Sequence, residues 1–494
     1  MTNQQSYRNI FKATSLFGGV QIINVITGII RSKFVALYLG PSGMGTSSLL
    51  NTTVTLITLV SQMGLNFSVV RYISKAYEAK NIKGLSTVLT VFRRCLWISC
   101  LFGTIILCLF SSILSEITFG NNFYGSSFAL LSVMLIFTLL TNGNTALLQG
   151  TLQLNLTAKS TVIGSVLGLL TVAPFCYFYG ANGIVPALMT NAVITYLISE
   201  YFARKVSIER IKVSLKDTIK IGRELVELGF VMVLSQIVGS IIIYYVDLYI
   251  RLKGSVSDVG LYQAGIAITS QSIGLVFSAM AMDYYPRLSA VSNDVNEVNK
   301  IVNQQGLITV LVACPLLVSL IVFAPLSIDL LLSKEFHVIA NFIRWVALGT
   351  LFTAPSVVLG YIALAKGDKK TYFLYCTLFN SLGALLFNVV GYSYGGIVGM
   401  GVAICLLQLI YVIFTYYKFK QLYLFKFNKQ SLRIFAILCV ICLSALIVSQ
   451  TFNMMWGYII GCLIVLLSFF YSWRVLNEFI GFTSILKIKL QKSV

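Results

Sequence analysis

Apolar residues run through this 494-residue chain in long blocks, not in the alternation of strands or the stripes of surface helices. A helix that crosses a bilayer needs about 20 mostly apolar residues. Fourteen stretches meet that length: residues 13–39, 46–70, 95–115, 125–149, 161–180, 183–203, 226–250, 259–285, 305–331, 343–365, 372–393, 396–417, 434–451 and 456–473. Turn residues punctuate them. Gly40-Pro41-Ser42-Gly43 separates the first two, Gly180-Ala181-Asn182-Gly183 the fifth and sixth, and Gly395-Gly396 opens the twelfth. The pattern predicts an all-α polytopic membrane protein with about 14 transmembrane helices, or 12 should one terminal pair not cross.

Composition closes off the other classes. Hydrophobic residues make up 57% and charged ones 11%, with a mean hydropathy of +0.87; soluble domains run near 45–50% and about 25%. Disorder, coiled coil, collagen and a secreted disulfide scaffold are excluded by the same figures. The ten cysteines lie in or beside apolar runs without polar CxxC spacing, and His337 is the single histidine, so no metal site is expected and the thiols read as small buried hydrophobes.

The net charge of +20 has a topological explanation. With both termini cytoplasmic, 30 of the 36 lysines and arginines fall on cytoplasmic segments, as the positive-inside bias requires. Nucleic acid is therefore not implied. The first apolar run is too long for a cleaved signal and is expected to stay as an anchor. The longest outer loops, 115–125 and 332–342, leave no room for an outer catalytic domain. The expected organisation is an N-terminal lobe at 1–203 (spans 1–6), a cytoplasmic linker at 204–225, a C-terminal lobe at 226–417 (spans 7–12), and a further helix pair with a cytoplasmic tail at 418–494.

The halves repeat weakly. Arg31-Ser32-Lys33-Phe34-Val35-Ala36-Leu37-Tyr38-Leu39-Gly40 runs on to Gly45, then Arg71-Tyr72-Ile73-Ser74; Asp247-Leu248-Tyr249-Ile250-Arg251 runs on to Gly260, then Arg287-Leu288-Ser289-Ala290. Gly45 to Arg71 is 26 positions and Gly260 to Arg287 is 27. Six spans separate the two starts, so the repeats insert in the same orientation and imply two pseudo-symmetric lobes around a central cavity, an architecture of transporters.

Ionisable residues at membrane depth are costly and mark functional sites. Arg31 lies deep in the first span, with Lys33 two positions on and pointing to a nearly opposite face. Lys33 either joins a cavity or snorkels outward. Arg71 and Arg287 stand where the second spans of the two halves leave the membrane. Guanidinium groups suit phosphate because their planar fork donates two hydrogen bonds at once, so Arg31, Arg71, Arg287 and Lys33 point to an anionic substrate, phosphorylated and lipid-attached. Asp247, beside Tyr244, Tyr245 and Tyr249, either exchanges a proton or a cation or pairs with Arg251 one turn on. Asp283, before Tyr284-Tyr285-Pro286-Arg287, is the second ion-coupling candidate, with a helix-end charge in an aromatic belt as its alternative. No GxxxxGK[ST] phosphate loop and no hydroxyl–His–carboxylate set occurs, so an ion or substrate gradient must drive any transport.

The segment Leu16-Phe17-Gly18-Gly19-Val20-Gln21, continuing through Ile30-Arg31-Ser32-Lys33-Phe34 to Gly40-Pro41-Ser42-Gly43-Met44-Gly45, resembles the opening of Wzx-like O-antigen and polysaccharide flippases, members of the multidrug/oligosaccharidyl-lipid/polysaccharide exporter superfamily. Asp247 followed by Gly260-Leu261-Tyr262-Gln263-Ala264 resembles the opening of that family's second lobe. The resemblance implies a non-enzymatic flippase of the bacterial inner membrane. It would carry an undecaprenyl-diphosphate-linked oligosaccharide, an O-antigen or other lipopolysaccharide or surface-polysaccharide unit, to the outer leaflet by alternating access coupled to Na⁺ or H⁺. It implies a monomer surrounded by membrane lipids and working beside polysaccharide polymerase and assembly proteins, with no other cofactor. Arg31 matches a first-span arginine that contacts the diphosphate in the lipid II branch, and Arg71 is carried over with it. The alternatives are a multidrug/cation antiporter of the same superfamily, which needs an anionic cavity, and a membrane polysaccharide polymerase, which needs catalytic acids or large outer loops.

Overall fold

A computed structural model describes residues 3–79, 81–206 and 211–480. Arg8, Lys12, Lys80, Arg210, Lys487, Lys489 and Lys492, counted above among the cytoplasmic cations, carry side chains outside the described residues. Among the described residues there is no strand. The chain falls into two compact units, 1–263 and 264–494, so the first unit continues past the expected linker.

The first unit comprises α1 (Asn3–Gln62), α2 (Leu65–Glu78), α3 (Ile82–Leu109), α4 (Ser111–Phe119), α5 (Gly125–Gly150), α6 (Leu154–Tyr179), α7 (Ile184–Ala203), α8 (Leu215–Lys253) and the start of α9 (Val256–Ala290). The second unit takes the rest of α9, then α10 (Val295–Val322), α11 (Ala324–Leu331), α12 (Ala340–Ala365), the single turn α13 (Lys369–Thr371), which runs through a π-helical stretch into α14 (Phe379–Tyr423), then α15 (Lys429–Thr451) and α16 (Met454–Ile480). Ten helical runs among the described residues are long and apolar enough to cross a membrane, eleven if the bent α9 is one span. Three of these runs, Gly18–Gln62, Leu154–Ala203 and Lys369–Tyr423, hold 45, 50 and 55 residues, each more than twice the ~20 a bilayer requires. The fourteen apolar stretches fall mainly on helix, with turns inside three of them at Met63–Gly64, Phe110 and Phe323.

The predicted loop at Gly40-Pro41-Ser42-Gly43 is instead a one-residue kink. Only Gly40 leaves helical geometry, at φ 63° and ψ −165°. Gly40 takes that left-handed φ without a Cβ penalty, and Pro41 restarts the helix, its ring presetting φ and its missing N–H costing nothing in a first turn. The predicted break in α14 falls on Gly395 and Gly396, with Gly396 at φ 56°. Helix α3 begins well before the predicted third span, because the side chain of Asn81 caps it by accepting the Gly84 N–H at 2.8 Å. The extension this creates carries Arg94, whose Nη1 donates to the Val213 carbonyl at 3.0 Å and to Thr218 Oγ1 at 2.6 Å, tying the segment before α8 to α3.

Two backbone-on-backbone contacts hold the second half of α1. A Cβ placed on Gly45 would lie 1.9 Å from the Val256 carbonyl oxygen and 3.0 Å from Gly260 N. A Cβ on Gly260 would lie 1.9 Å from the Pro41 oxygen and 2.7 Å from Gly45 N. At the other end, Gly64, at φ +71°, has the Gly229 oxygen 2.0 Å from where its Cβ would be, and Gly229 has the Gly64 oxygen at 2.5 Å. Removing the Cβ is what lets apolar helices approach this closely. Within the second unit α10 and α12 form the most enclosed part: 72% and 78% of their span windows are buried.

Candidate functional site

Asp247 is fully buried on α8. Gln263, on the first turns of α9, donates Nε2–H to one carboxyl oxygen at 2.7 Å. Thr52, on the second half of α1, donates its hydroxyl to the other at 3.3 Å. Three helices therefore converge on one carboxyl. Two neutral donors do not balance a buried anion, and no lysine or arginine among the described residues pairs with it. A buried, unpaired carboxylate costs several kcal/mol, on the order set by lost hydration. A proton or a small cation relieves that cost, which is the chemistry an ion-coupling group needs.

Arg251 does not take the pairing open to it one turn along the helix. Its guanidinium donates from Nε to the Thr118 carbonyl at 3.0 Å and from Nη2 to the Ile117 carbonyl, at the carboxyl end of α4. Free carbonyls and the negative end of the helix dipole meet there. Tyr244 joins the same patch through a 2.9 Å hydrogen bond between its hydroxyl and Thr118 Oγ1.

Arg31 lies on the first half of α1, nine residues before the Gly40 kink. At 1.5 Å per residue that is about 13 Å along the axis, close to half of a ~30 Å hydrocarbon core. Its side chain is exposed. It has no acidic partner among the described residues. Lys33 is half-buried and engaged in a contact of its own. Arg71 is exposed on α2, the short helix that follows the Gly64 break. Arg287 belongs to the second unit, where Nη2 pairs with Asp283 at 2.7 Å and donates to Gln305 Oε1 at 2.9 Å. Asp283 is thus one turn from Arg287 and two-thirds exposed. Among the described residues no group of three His, Cys, Asp or Glu could hold a metal ion.

Thr52 and Gln263 carry no sequence signal that ties them to Asp247. Gln263 stands inside the Gly260-Leu261-Tyr262-Gln263-Ala264 run, where a lone polar residue in an apolar helix is the only pointer.

Long apolar helices joined by glycine-mediated crossings define an integral membrane protein. Its fold is that of the multidrug/oligosaccharidyl-lipid/polysaccharide superfamily. The chain is similar to the lipid II flippase MurJ in an inward closed conformation, with a TM-score of 0.70 at 15% identity over 95% of this chain and 99% of that one. It is similar also to an inward-facing multidrug resistance MATE transporter of that superfamily, at TM-score 0.67 and 16% identity over 84% and 95% of the two chains. Residues 34–341 match the family described as polysaccharide biosynthesis protein, and the chain belongs to that family. A curated relative, the lipid III flippase of Escherichia coli (strain K12), is 19% identical over 379 residues, 74% of this chain and 88% of its own length.

Proposed function

We propose that the protein flips an undecaprenyl-diphosphate-linked oligosaccharide, an O-antigen or related surface-polysaccharide unit, from the inner to the outer leaflet of the cytoplasmic membrane. Both termini lie in the cytoplasm in this reading, which follows the placement of its cations. The observation that carries it is Arg31: a guanidinium near mid-membrane depth, exposed and without an acid, is a standing receptor for a diphosphate. Arg71, Arg287 and Lys33 assist along the headgroup's path. Asp247 supplies the coupling, binding H⁺ or Na⁺ in one conformation better than in the other, since only differential affinity moves such an equilibrium. The names of the relatives, flippases of lipid II and lipid III, support the lipid-linked class of substrate.

The test is complementation of a flippase deletion strain combined with quantification of lipid-linked oligosaccharide. Arg31→Ala is expected to insert normally, to leave the glycan on the cytoplasmic leaflet and to abolish surface polymer, with partial recovery in Arg31→Lys. Full activity of Arg31→Ala overturns the reading. A second reading, multidrug/cation antiport, draws on the buried Asp247 carboxyl and the MATE likeness. Drug sensitivity of the deletion strain with normal glycan export would favour it.

A further inference from the structure

A cavity of about 410 Å³ opens in the second unit between the latter half of α14 and the start of α15. Its floor includes Gly306 and Val310 of α10 and Pro355 of α12, all buried. Its rim is formed by Ile413 and Tyr417 of α14 and Leu432 of α15, which are 49%, 58% and 58% exposed. The slot is thus mostly apolar and opens outward between exposed apolar side chains. Along α14 its lining runs from Leu409 to Tyr417, about 12 Å at 1.5 Å per residue, close to the ~15 Å depth of one leaflet's hydrocarbon.

One end of the slot is cationic. Lys420, Lys426 and Lys429 are exposed there, and none has an acidic partner among the described residues. The acids of that end are engaged elsewhere: Asp294 caps α10, Glu297 pairs with Lys300, and Asp368 caps α13 and accepts the Tyr423 hydroxyl. Asn303, itself a lining residue, holds the cationic strap against the slot. Its Nδ2 donates to the Lys426 carbonyl at 2.9 Å and its Oδ1 accepts the Asn428 N–H at 2.8 Å.

We propose that this slot is a resident site for an anionic phospholipid, one acyl chain lying in the cavity and the phosphate resting on Lys420, Lys426 and Lys429. An apolar slot of one-leaflet depth takes a chain, and unpaired cations at its mouth select a negative headgroup over a zwitterionic one. Phospholipid is also the most abundant candidate in the surrounding leaflet, so mass action fills the site with it.

The experiment is native mass spectrometry and thermal denaturation of the full-length protein in detergent, with dioleoylphosphatidylglycerol or dioleoylphosphatidylcholine added. The expected result is about one phosphatidylglycerol retained per chain, with a raised Tm, and no comparable effect of phosphatidylcholine. Gly306 lines the slot and a Cβ placed on it meets nothing within 4 Å, so Gly306→Phe is the substitution that occupies the slot, and it improves helix propensity. This variant is expected to fold and to lose the retained lipid. The triple variant K420E/K426E/K429E is expected to weaken phosphatidylglycerol binding on the order of a hundredfold. Equal retention of phosphatidylcholine, undiminished phosphatidylglycerol in a folded Gly306→Phe, or stoichiometric displacement by an equimolar prenyl diphosphate would each overturn the proposal, the last by giving the slot to the transported lipid. Neither variant touches Arg31 or Asp247, so the result is read independently of the transport reading.

Discussion

Gly45 and Gly260 meet in a reciprocal contact. The missing Cβ of Gly45 faces the Val256 carbonyl oxygen at 1.9 Å, and that of Gly260 faces the Pro41 carbonyl oxygen at 1.9 Å. Val256 precedes Gly260 by four residues, as Pro41 precedes Gly45, so the two helices present the same surface to each other. These are also the two glycines that the internal repeat aligns. The contact is a local two-fold crossing made by equivalent positions of the repeat.

Any side chain at this crossing must push two backbones apart. Gly45→Ala and Gly260→Ala are each expected to cost at least ~1–3 kcal/mol in this conformation, seen as a lower Tm in detergent. The double variant is expected to cost less than the sum of the two, because one separation relieves both clashes. Unchanged Tm in both single variants would show that the helices do not touch.

Asp247→Asn keeps the volume and a hydrogen-bonding pair for Gln263 and Thr52 while removing the ionisable group. Its Tm should stay near that of the parent protein, while transport in proteoliposomes loses its response to an imposed H⁺ or Na⁺ gradient. Asp247→Ala should differ, leaving the Gln263 amide unpaired in an apolar site at a cost of ~1–3 kcal/mol. A gradient-dependent Asp247→Asn protein would remove this residue from coupling.

Arg94 fastens the stretch before α8 through the Val213 carbonyl and Thr218. Hydrogen bonds from a charged donor are worth ~1.5–3 kcal/mol. Arg94→Ala is expected to speed limited proteolysis within residues 204–214 severalfold while leaving the spanning helices intact on a gel. An unchanged cleavage rate would mean that the linker is held by other contacts.

Asp368 caps the turn leading into α14. The Thr371 backbone N–H, with smaller help from the Tyr423 hydroxyl, holds its carboxyl below the usual carboxylate range. A pKa depressed in the folded state contributes stability above the ordinary value near 4, lost as pH falls through the folded value. Tm should therefore decline on acidification below about pH 4 more steeply in the parent protein than in Asp368→Asn, which keeps a cap but not the charge. At neutral pH Asp368→Ala is expected to cost ~1 kcal/mol, the usual worth of an N-cap. Parallel pH profiles for parent and Asp368→Asn would remove the linkage.

Much of the fold is written in the length of the apolar runs and in their glycines, because backbone groups in hydrocarbon must be satisfied within the helix and only a few residues permit a break. Gly40, Gly180 and Gly396 all mark breaks, as expected, but the run around Gly40 reads as a loop and is a kink: nothing local reports that Pro41 resumes the helix at once. Asp247 is legible as an intruder in an apolar span. Its partners are not, since Thr52 lies 195 positions away and only the crossing of α1 and α8 brings it near. Arg251 misleads for the same reason. Helical spacing offers Asp247, while the carbonyls that hold Arg251, on α4, are more than 130 positions distant.

The segment of α1 between Gly40 and Gly64 is gripped near both ends by bare backbone, at Gly260 and at Gly229. The glycines bring no side chain of their own to these junctions, so the contact there is backbone on backbone and lacks the ~1.5–3 kcal/mol that a buried leucine at the same point would add. A rod fastened this way behaves like a magnet catch, firm when seated and easily pulled open at either end. Lining the same seams with leucine would have made a bundle that is sturdier and unable to move.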